Sequence, residues 1–242
     1  MSVAKAVIHR SLALLGLRMS RIPRLTPERE PRYFNLDGMT SAEQNSVEIY
    51  DRFYGDSEEL DHYYNVQKYA DIRRKEFYRI IAEYTAVRVS LNGVDILDVG
   101  CGTGHLLTAI TERSKPASLS GCDFSPVAMG VATKMFPRAS FFTHNIYDAL
   151  PGAYDVIFCT EVLEHLERPY VALANLMNSL RPGGAAVLTV PNGRLDNLME
   201  HINFWSPEGW GVFLRRECPE CLVETELLID SACNIGLVRR NG

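Results

Sequence analysis

The sequence predicts an α/β protein, a doubly wound and mostly parallel sheet with a helical segment ahead of it. Three observations carry that expectation. Val94 to Val99 mixes apolar and acidic residues in a strand-like run, and the glycine turn Gly100 to Gly104 leads straight into Leu106, Leu107 and Ile110 at helical spacing. Two further runs, 117–123 and 154–159, read as strands that end at polar or acidic residues, where an open α/β sheet presents its ligand. At 242 residues and 46% hydrophobic, the chain is long enough to bury one sizeable core.

The first 40 residues read as a separate segment. Lys5, Arg10, Arg18, Arg21 and Arg24 precede the first acid, Glu28, and Val3, Val7, Leu14 and Leu17 can share one helical face. Three readings stay open: a basic amphipathic membrane-surface segment, a mitochondrial transit peptide if the source is eukaryotic, and a solvated first helix. His9 and Arg10 interrupt the apolar run a secretory signal would need. Pro23, Pro27 and Pro31 predict an extended linker. Residues 41–93 then read as a helical cap rich in aromatics, including Tyr50, Phe53, Tyr54, Tyr63, Tyr64, Phe77 and Tyr78. Tyr63 and Tyr64 are either core or ligand contacts. The third segment, 94–242, is the sheet domain.

The glycine turn decides the kind of ligand. A dinucleotide site places a third glycine where the helix packs on the strand, and here His105 holds that position. Asp98, just before the turn, suits a cationic ligand better than a diphosphate. Asp98-Val99-Gly100-Cys101-Gly102-Thr103-Gly104 closely resembles motif I of the class I S-adenosyl-L-methionine-dependent methyltransferases, which have a Rossmann-like fold. The resemblance implies that Gly100, Cys101, Gly102, Thr103 and Gly104 approach the amino-acid end of S-adenosyl-L-methionine and that Asp98 orients its ammonium. It further implies that Asp123 takes the ribose hydroxyls beside Phe124, and that Asn145 and Ile146 meet the adenine with Asp148 as second choice. With 140–143 read as the third strand and 154–159 as the fourth, Thr160 at the end of the fourth completes the cofactor set. Asp123 has an alternative reading as a cap of the helix after Pro126, although Ser125 is the better cap.

The fourth strand runs into Glu161-Val162-Leu163-Glu164-His165-Leu166. This sequence resembles the branch containing ubiquinone-pathway O-methyltransferases and small-RNA 2′-O-methyltransferases. A helix over 169–180, the Arg181-Pro182-Gly183-Gly184 turn and a fifth strand over 185–190 follow. Ser206 and Pro207 start the next helix. Residues 224–233 read as the last helix and 235–238 as strand six. With only Arg239 to Gly242 beyond it, the seventh strand of the family is expected to be missing. The resemblance covers residues 94–238.

His165, His201 and Glu161 are the candidate catalytic residues. If the segment after strand four is helical, Glu161, Glu164 and His165 share one face. With His201 they resemble the Mg2+ or Mn2+ site of the small-RNA enzymes, and mixed N/O ligands suit Mn2+. The alternatives are a metal-free histidine base, or Glu164 and His165 bracing the turn.

Net charge of -5 argues against a nucleic-acid partner. The six cysteines form no framework and imply reduced thiols in the cytoplasm, and Cys218-Pro219-Glu220-Cys221 lacks the further ligands zinc requires. No run approaches the ~20 apolar residues of a membrane span, so membrane contact would come through the N-terminal segment. The leading expectation is O-methylation of a small-molecule or sugar hydroxyl, on a glycan or lipid-linked acceptor. Behind it stand RNA 2′-O-methylation and a non-catalytic or truncated S-adenosyl-L-methionine-binding protein. His105 disfavours a nicotinamide-dependent oxidoreductase.

Overall fold

The computed structural model describes residues 45–55, 72–198 and 200–242. The basic segment expected over 1–40, and Tyr63 and Tyr64, lie outside the described residues. Two helices precede the sheet: α1 (Val47–Gly55) and α2 (Ile72–Ala86). The glycine turn then joins β1 (Asp95–Val99) to α3 (His105–Thr111). Next come β2 (Ser118–Asp123), α4 (Pro126–Met135), β3 (Ser140–Thr143) and β4 (Tyr154–Thr160). After a short 3-10 turn at Leu163–His165 the chain continues through α5 (Pro169–Asn178), β5 (Leu180–Pro191) and α6 (Pro207–Glu217). It closes with β6 (Leu222–Leu228) and β7 (Cys233–Arg239).

The strands form one sheet in the order β3-β2-β1-β4-β5-β7-β6. The first five are parallel, and β7 runs antiparallel between β5 and β6. Strand order reverses between β1 and β4, and the crevice at the carboxyl ends of such a switch point is where open α/β sheets bind their ligands.

Both faces of the sheet are buried, which is why its strands read as near-continuous apolar runs. Leu97, Val99, Ile157, Cys159, Ala186 and Leu188 point to the side covered by α5 and α6, through Leu173, Leu176, Trp210 and Leu214. Their neighbours Ile96, Val156, Phe158, Ala185 and Val187 point to the other side, against Phe77 and Ile81 of α2 and Leu106, Leu107 and Ile110 of α3. This is the period-two alternation of a strand with apolar residues in both phases.

Helix starts follow the local chemistry. Ser125 accepts a hydrogen bond from the Ala128 N–H ahead of Pro126, and Ser206 does the same for Gly209 ahead of Pro207. Where the turn Arg181 to Gly184 was expected to precede a strand beginning at 185, β5 already begins at Leu180, with a register shift opposite Tyr154 and Val156. Arg181 there bridges Asp95 at 2.8 Å and Asp155 at 2.7 Å.

The C-terminal expectation is corrected. Residues 224–233 are not a helix, and the seventh strand is present. Leu222–Leu228 pairs antiparallel with Cys233–Arg239, which in turn pairs with β5 over seven residue pairs from Ala185↔Arg239 to Pro191↔Cys233. Ile229, Asp230 and Ser231 turn the chain with φ of 57°, 51° and 69°, conformations no helix contains. Glu and Leu favour helix locally, but a ladder on both sides of β7 outweighs that preference.

Candidate active site

A cavity of about 380 Å³ opens at the carboxyl ends of β1, β2 and β4. Of the cofactor residues expected from sequence, Gly100, Cys101, Gly102, Thr103, Asp123, Phe124, Asn145, Ile146 and Thr160 line it. Asp98 and Gly104 lie outside the lining, Asp98 fully buried at the strand end and Gly104 capping α3 with φ of 82°. Asp148, the second choice for adenine, is exposed and outside the cavity.

The glycine turn is held from beneath. Gly100 and Cys101 both donate their N–H to the Cys122 carbonyl, at 2.8 and 3.0 Å. Gly100 has φ of 71°, and a Cβ there would meet Val162 at 2.3 Å, so conformation and space both demand glycine. Gly102, at φ of 50°, leaves room for the Tyr54 hydroxyl, 3.0 Å from where its Cβ would stand.

Asp123 is the organising carboxylate. It accepts from Gly102 N–H at 3.0 Å and Ser125 N–H at 3.1 Å. Burial raises its pKa to about 6, the rise being opposed by the N–H groups of Ser125, Gly102 and Phe124. Asp98 is pushed well above the usual carboxylate range by burial and then by Asp123, and its Oδ1 has no hydrogen-bond partner among the described residues. An unsatisfied buried carboxylate oxygen under a glycine cradle fits a ligand that brings a donor or a positive charge.

The second half of the site is stitched together by backbone. Ile202 and Asn203 donate their N–H groups to the Glu164 carbonyl at 2.9 and 3.0 Å, and the Asn203 side chain donates to the Leu166 carbonyl at 2.7 Å. This brings His201 against His165, ring centroids 4.6 Å apart and edge to face. His165 Nδ1 lies 3.3 Å from the Glu200 carbonyl, and His201 Nδ1 lies 2.6 Å from the Asp196 carboxylate. Both partners are acceptors, so each Nδ1 carries a hydrogen, and in His165, kept neutral, Nε2 offers a lone pair. Burial, then His201, lowers the His165 pKa to about 3.

The expected three-residue helical face after β4 does not form. Glu161 has φ of 55° and only Leu163–His165 makes a helical turn, so the i, i+3, i+4 spacing has no helix to act on. Instead Glu161 Oε1 accepts from the Thr189 hydroxyl at 3.0 Å, and its side chain lines the cavity apart from the histidines. Glu164, His165 and His201 do converge, each offering one donor atom within 4.8 Å of the others. His165 faces the cavity, while Glu164 and His201 are buried behind it.

Sequence reasoning missed three contributors. Asp196 orients His201 and carries no motif signal. Tyr50 and Tyr54 line the cavity from α1; their i, i+4 spacing beside the buried pair Ile49 and Phe53 is the signal that marks that face.

A seven-stranded sheet with an antiparallel seventh strand, and a glycine turn and acidic strand end at its switch point, define a class I S-adenosyl-L-methionine-dependent methyltransferase. The chain belongs to the methyltransferase domain family, which it matches over residues 65–218. It is 36% identical over 140 residues to the mitochondrial ubiquinone biosynthesis O-methyltransferase of Schizosaccharomyces pombe, covering 52% of this chain and 50% of that protein. The Idiomarina loihiensis ubiquinone biosynthesis O-methyltransferase is 29% identical over 132 residues, covering 49% and 54%. The chain thus spans about half the length of the curated relatives it matches. In fold it resembles magnesium protoporphyrin IX methyltransferase of Synechocystis with bound SAH (TM-score 0.63, 17% identity, 81% of this chain and 100% of that one). It also resembles the methyltransferase domain of a bacterial Hen1 (TM-score 0.54, 20% identity, 66% and 97%). No helix of the described residues is long and apolar enough to cross a membrane.

Proposed function

We propose that this methyltransferase acts on a hydroxyl oxygen of a small-molecule or sugar acceptor, with His165 as the proton acceptor. The observation that carries the reading is the cavity-facing imidazole of His165, kept neutral by burial, with its Nδ1 committed to the Glu200 carbonyl and its Nε2 left to accept. S-adenosyl-L-methionine supplies the electrophile, a methyl group on a sulfonium, so the protein's work is binding, alignment and one proton. Asp123 takes the ribose hydroxyls, the turn from Gly100 to Thr103 cradles the amino-acid end, and Asn145 and Ile146 border the adenine. As a neutral hydroxyl attacks, its oxygen gains positive charge and its proton becomes strongly acidic. Even a weakly basic imidazole then accepts it, and Glu164, 3.9 Å from His165 Nε2, stabilises the imidazolium formed.

Among the described residues lining the cavity there is no Lys or Arg, which favours an uncharged acceptor over a polyanion. The similarity to proteins named O-methyltransferases points the same way. A glycan or lipid-linked hydroxyl remains the preferred subclass.

A second reading, metal-assisted methylation of a vicinal diol such as an RNA 3′ end, is favoured by the convergence of Glu164, His165 and His201 with both Nδ1 atoms anchored. Those three residues would hold Mn2+ or Mg2+, which would supply Lewis-acid activation of the hydroxyls. The deciding experiment is labelled methyl transfer to a catechol, a free sugar, a lipid-linked sugar and a short RNA, with EDTA or added Mn2+. Transfer to a neutral hydroxyl with inert RNA is the expected result. Transfer to RNA alone, dependent on Mn2+, replaces the first reading with the second.

A further inference from the structure

Helix α1 borders the cavity and is fastened just ahead of its start and at its middle. Ahead of it, Asn45 donates its side-chain N–H to the Glu200 carbonyl at 2.9 Å, the same carbonyl that faces His165 Nδ1. Within it, the Asp51 carboxylate accepts from the Ser125 hydroxyl and from the Val127 N–H at 3.4 Å. Ser125 is fully buried and committed on every side: its hydroxyl donates to Asp51 and accepts from Ala128 N–H, and its own N–H donates to Asp123. A chain of hydrogen bonds therefore runs from α1 through one serine to the carboxylate that organises the cofactor half of the site.

The same docking seats two aromatic side chains. The Tyr50 ring stands edge to face against Phe124, with centroids 5.1 Å apart. Tyr54 places its hydroxyl over Gly102. Phe124 follows Asp123 in sequence, and Gly102 donates to the Asp123 carboxylate, so the tyrosines flank the same carboxylate from two directions. Ser125 caps α4 at the Ala128 N–H, and Asp51 adds only the long contact to the Val127 N–H.

We propose that Asp51 is a positioning residue for S-adenosyl-L-methionine: its tie to Ser125 holds Asp123 in place and seats the Tyr50 and Tyr54 face of α1 over the glycine turn. The proposal rests on the assignment of Asp123 to the cofactor. Asparagine at position 51 retains an acceptor oxygen for both donors, whereas alanine retains none.

The test is calorimetric titration of S-adenosylhomocysteine into the full chain, as wild type, Asp51→Ala and Asp51→Asn, alongside steady-state kinetics. The expected result is affinity weakened about tenfold in Asp51→Ala and restored to within about threefold by Asp51→Asn. KM for S-adenosyl-L-methionine rises in parallel, with kcat at saturating cofactor changed by less than about twofold. Wild-type binding with Asp51→Ala within about twofold of it, in a folded protein, overturns the proposal but leaves the site assignment standing. Failure of the wild type to bind overturns the site assignment and the proposal together. If Asp51→Ala does not fold, hydrogen exchange on the wild type decides: S-adenosylhomocysteine should slow the amides of 47–55 and of Ser125, and unchanged exchange there sinks the idea.

Discussion

Asp123 is buried and His165 half-buried, and loss of contact with water drives each towards its neutral form. For the carboxylate that means a pKa near 6, close enough to neutrality to be read in a binding experiment. On the proposed assignment of Asp123 to the ribose, whose hydroxyls would donate to the ionised form, affinity for S-adenosylhomocysteine should be constant well above about pH 6 and weaken below it, approaching tenfold per pH unit. Titrations across roughly pH 5 to 8 check this, and Asp123→Asn should bind more weakly and show no such slope. His165, with a pKa of about 3, contributes nothing to that limb. Its replacement by glutamine should lower kcat by about 100-fold or more, the usual span of a lost proton acceptor, with S-adenosylhomocysteine affinity within about twofold of wild type. A kcat within about threefold of wild type would remove His165 from the chemistry.

Among the elements, β7 is where a single residue matters most. Gly236 sits under α6, where a Cβ would meet Leu214 Cδ1 at 2.3 Å and Trp210 Nε1 at 3.1 Å. Both partners are fully buried, so neither has room to retreat. Gly236→Ala should destabilise the protein by about 1–3 kcal/mol, seen as an earlier denaturant midpoint with an unchanged slope. The loop that delivers His201 is a second case. The hydrogen-bonded contact between Asp196 and His201 is buried on both sides, and Asp196→Ala removes the partner that orients the imidazole. Turnover should fall in that variant while cofactor affinity holds. Equal turnover would mean that the backbone bonds to Glu164 alone position His201.

Across the whole molecule these two groups act on stability in opposite senses. Unfolded, His165 takes a proton near 6.5; folded, only near 3, so between those values the unfolded chain binds more protons and stability falls as pH falls. Asp123 is protonated near 6 when folded and near 3.8 when unfolded, so acidification across that interval adds stability. Thermal melts from neutral pH downwards should show Asp123→Asn more acid-labile than wild type and His165→Gln less so. Parallel melting curves for all three would show that neither group titrates differently on folding.

The central fold and half of the site are legible from local sequence. The glycine turn, the acidic strand ends, the Ser125 and Ser206 caps and the two-phase apolar strands are short-range patterns, because backbone conformation and burial leave their mark within a few residues. What local sequence misassigned depends on partners far along the chain. Residues 224–238 read as helix then strand until β5 offers an edge for β7, and the Glu161–Glu164–His165 spacing implies a helical face until the φ of Glu161 breaks it. The placement of α1 over Gly102, the link from Asp51 through Ser125 to Asp123, and the anchoring of His201 by Asp196 bring together residues from separate elements. No local pattern encodes such contacts, since each exists only once packing has set the distance between its partners.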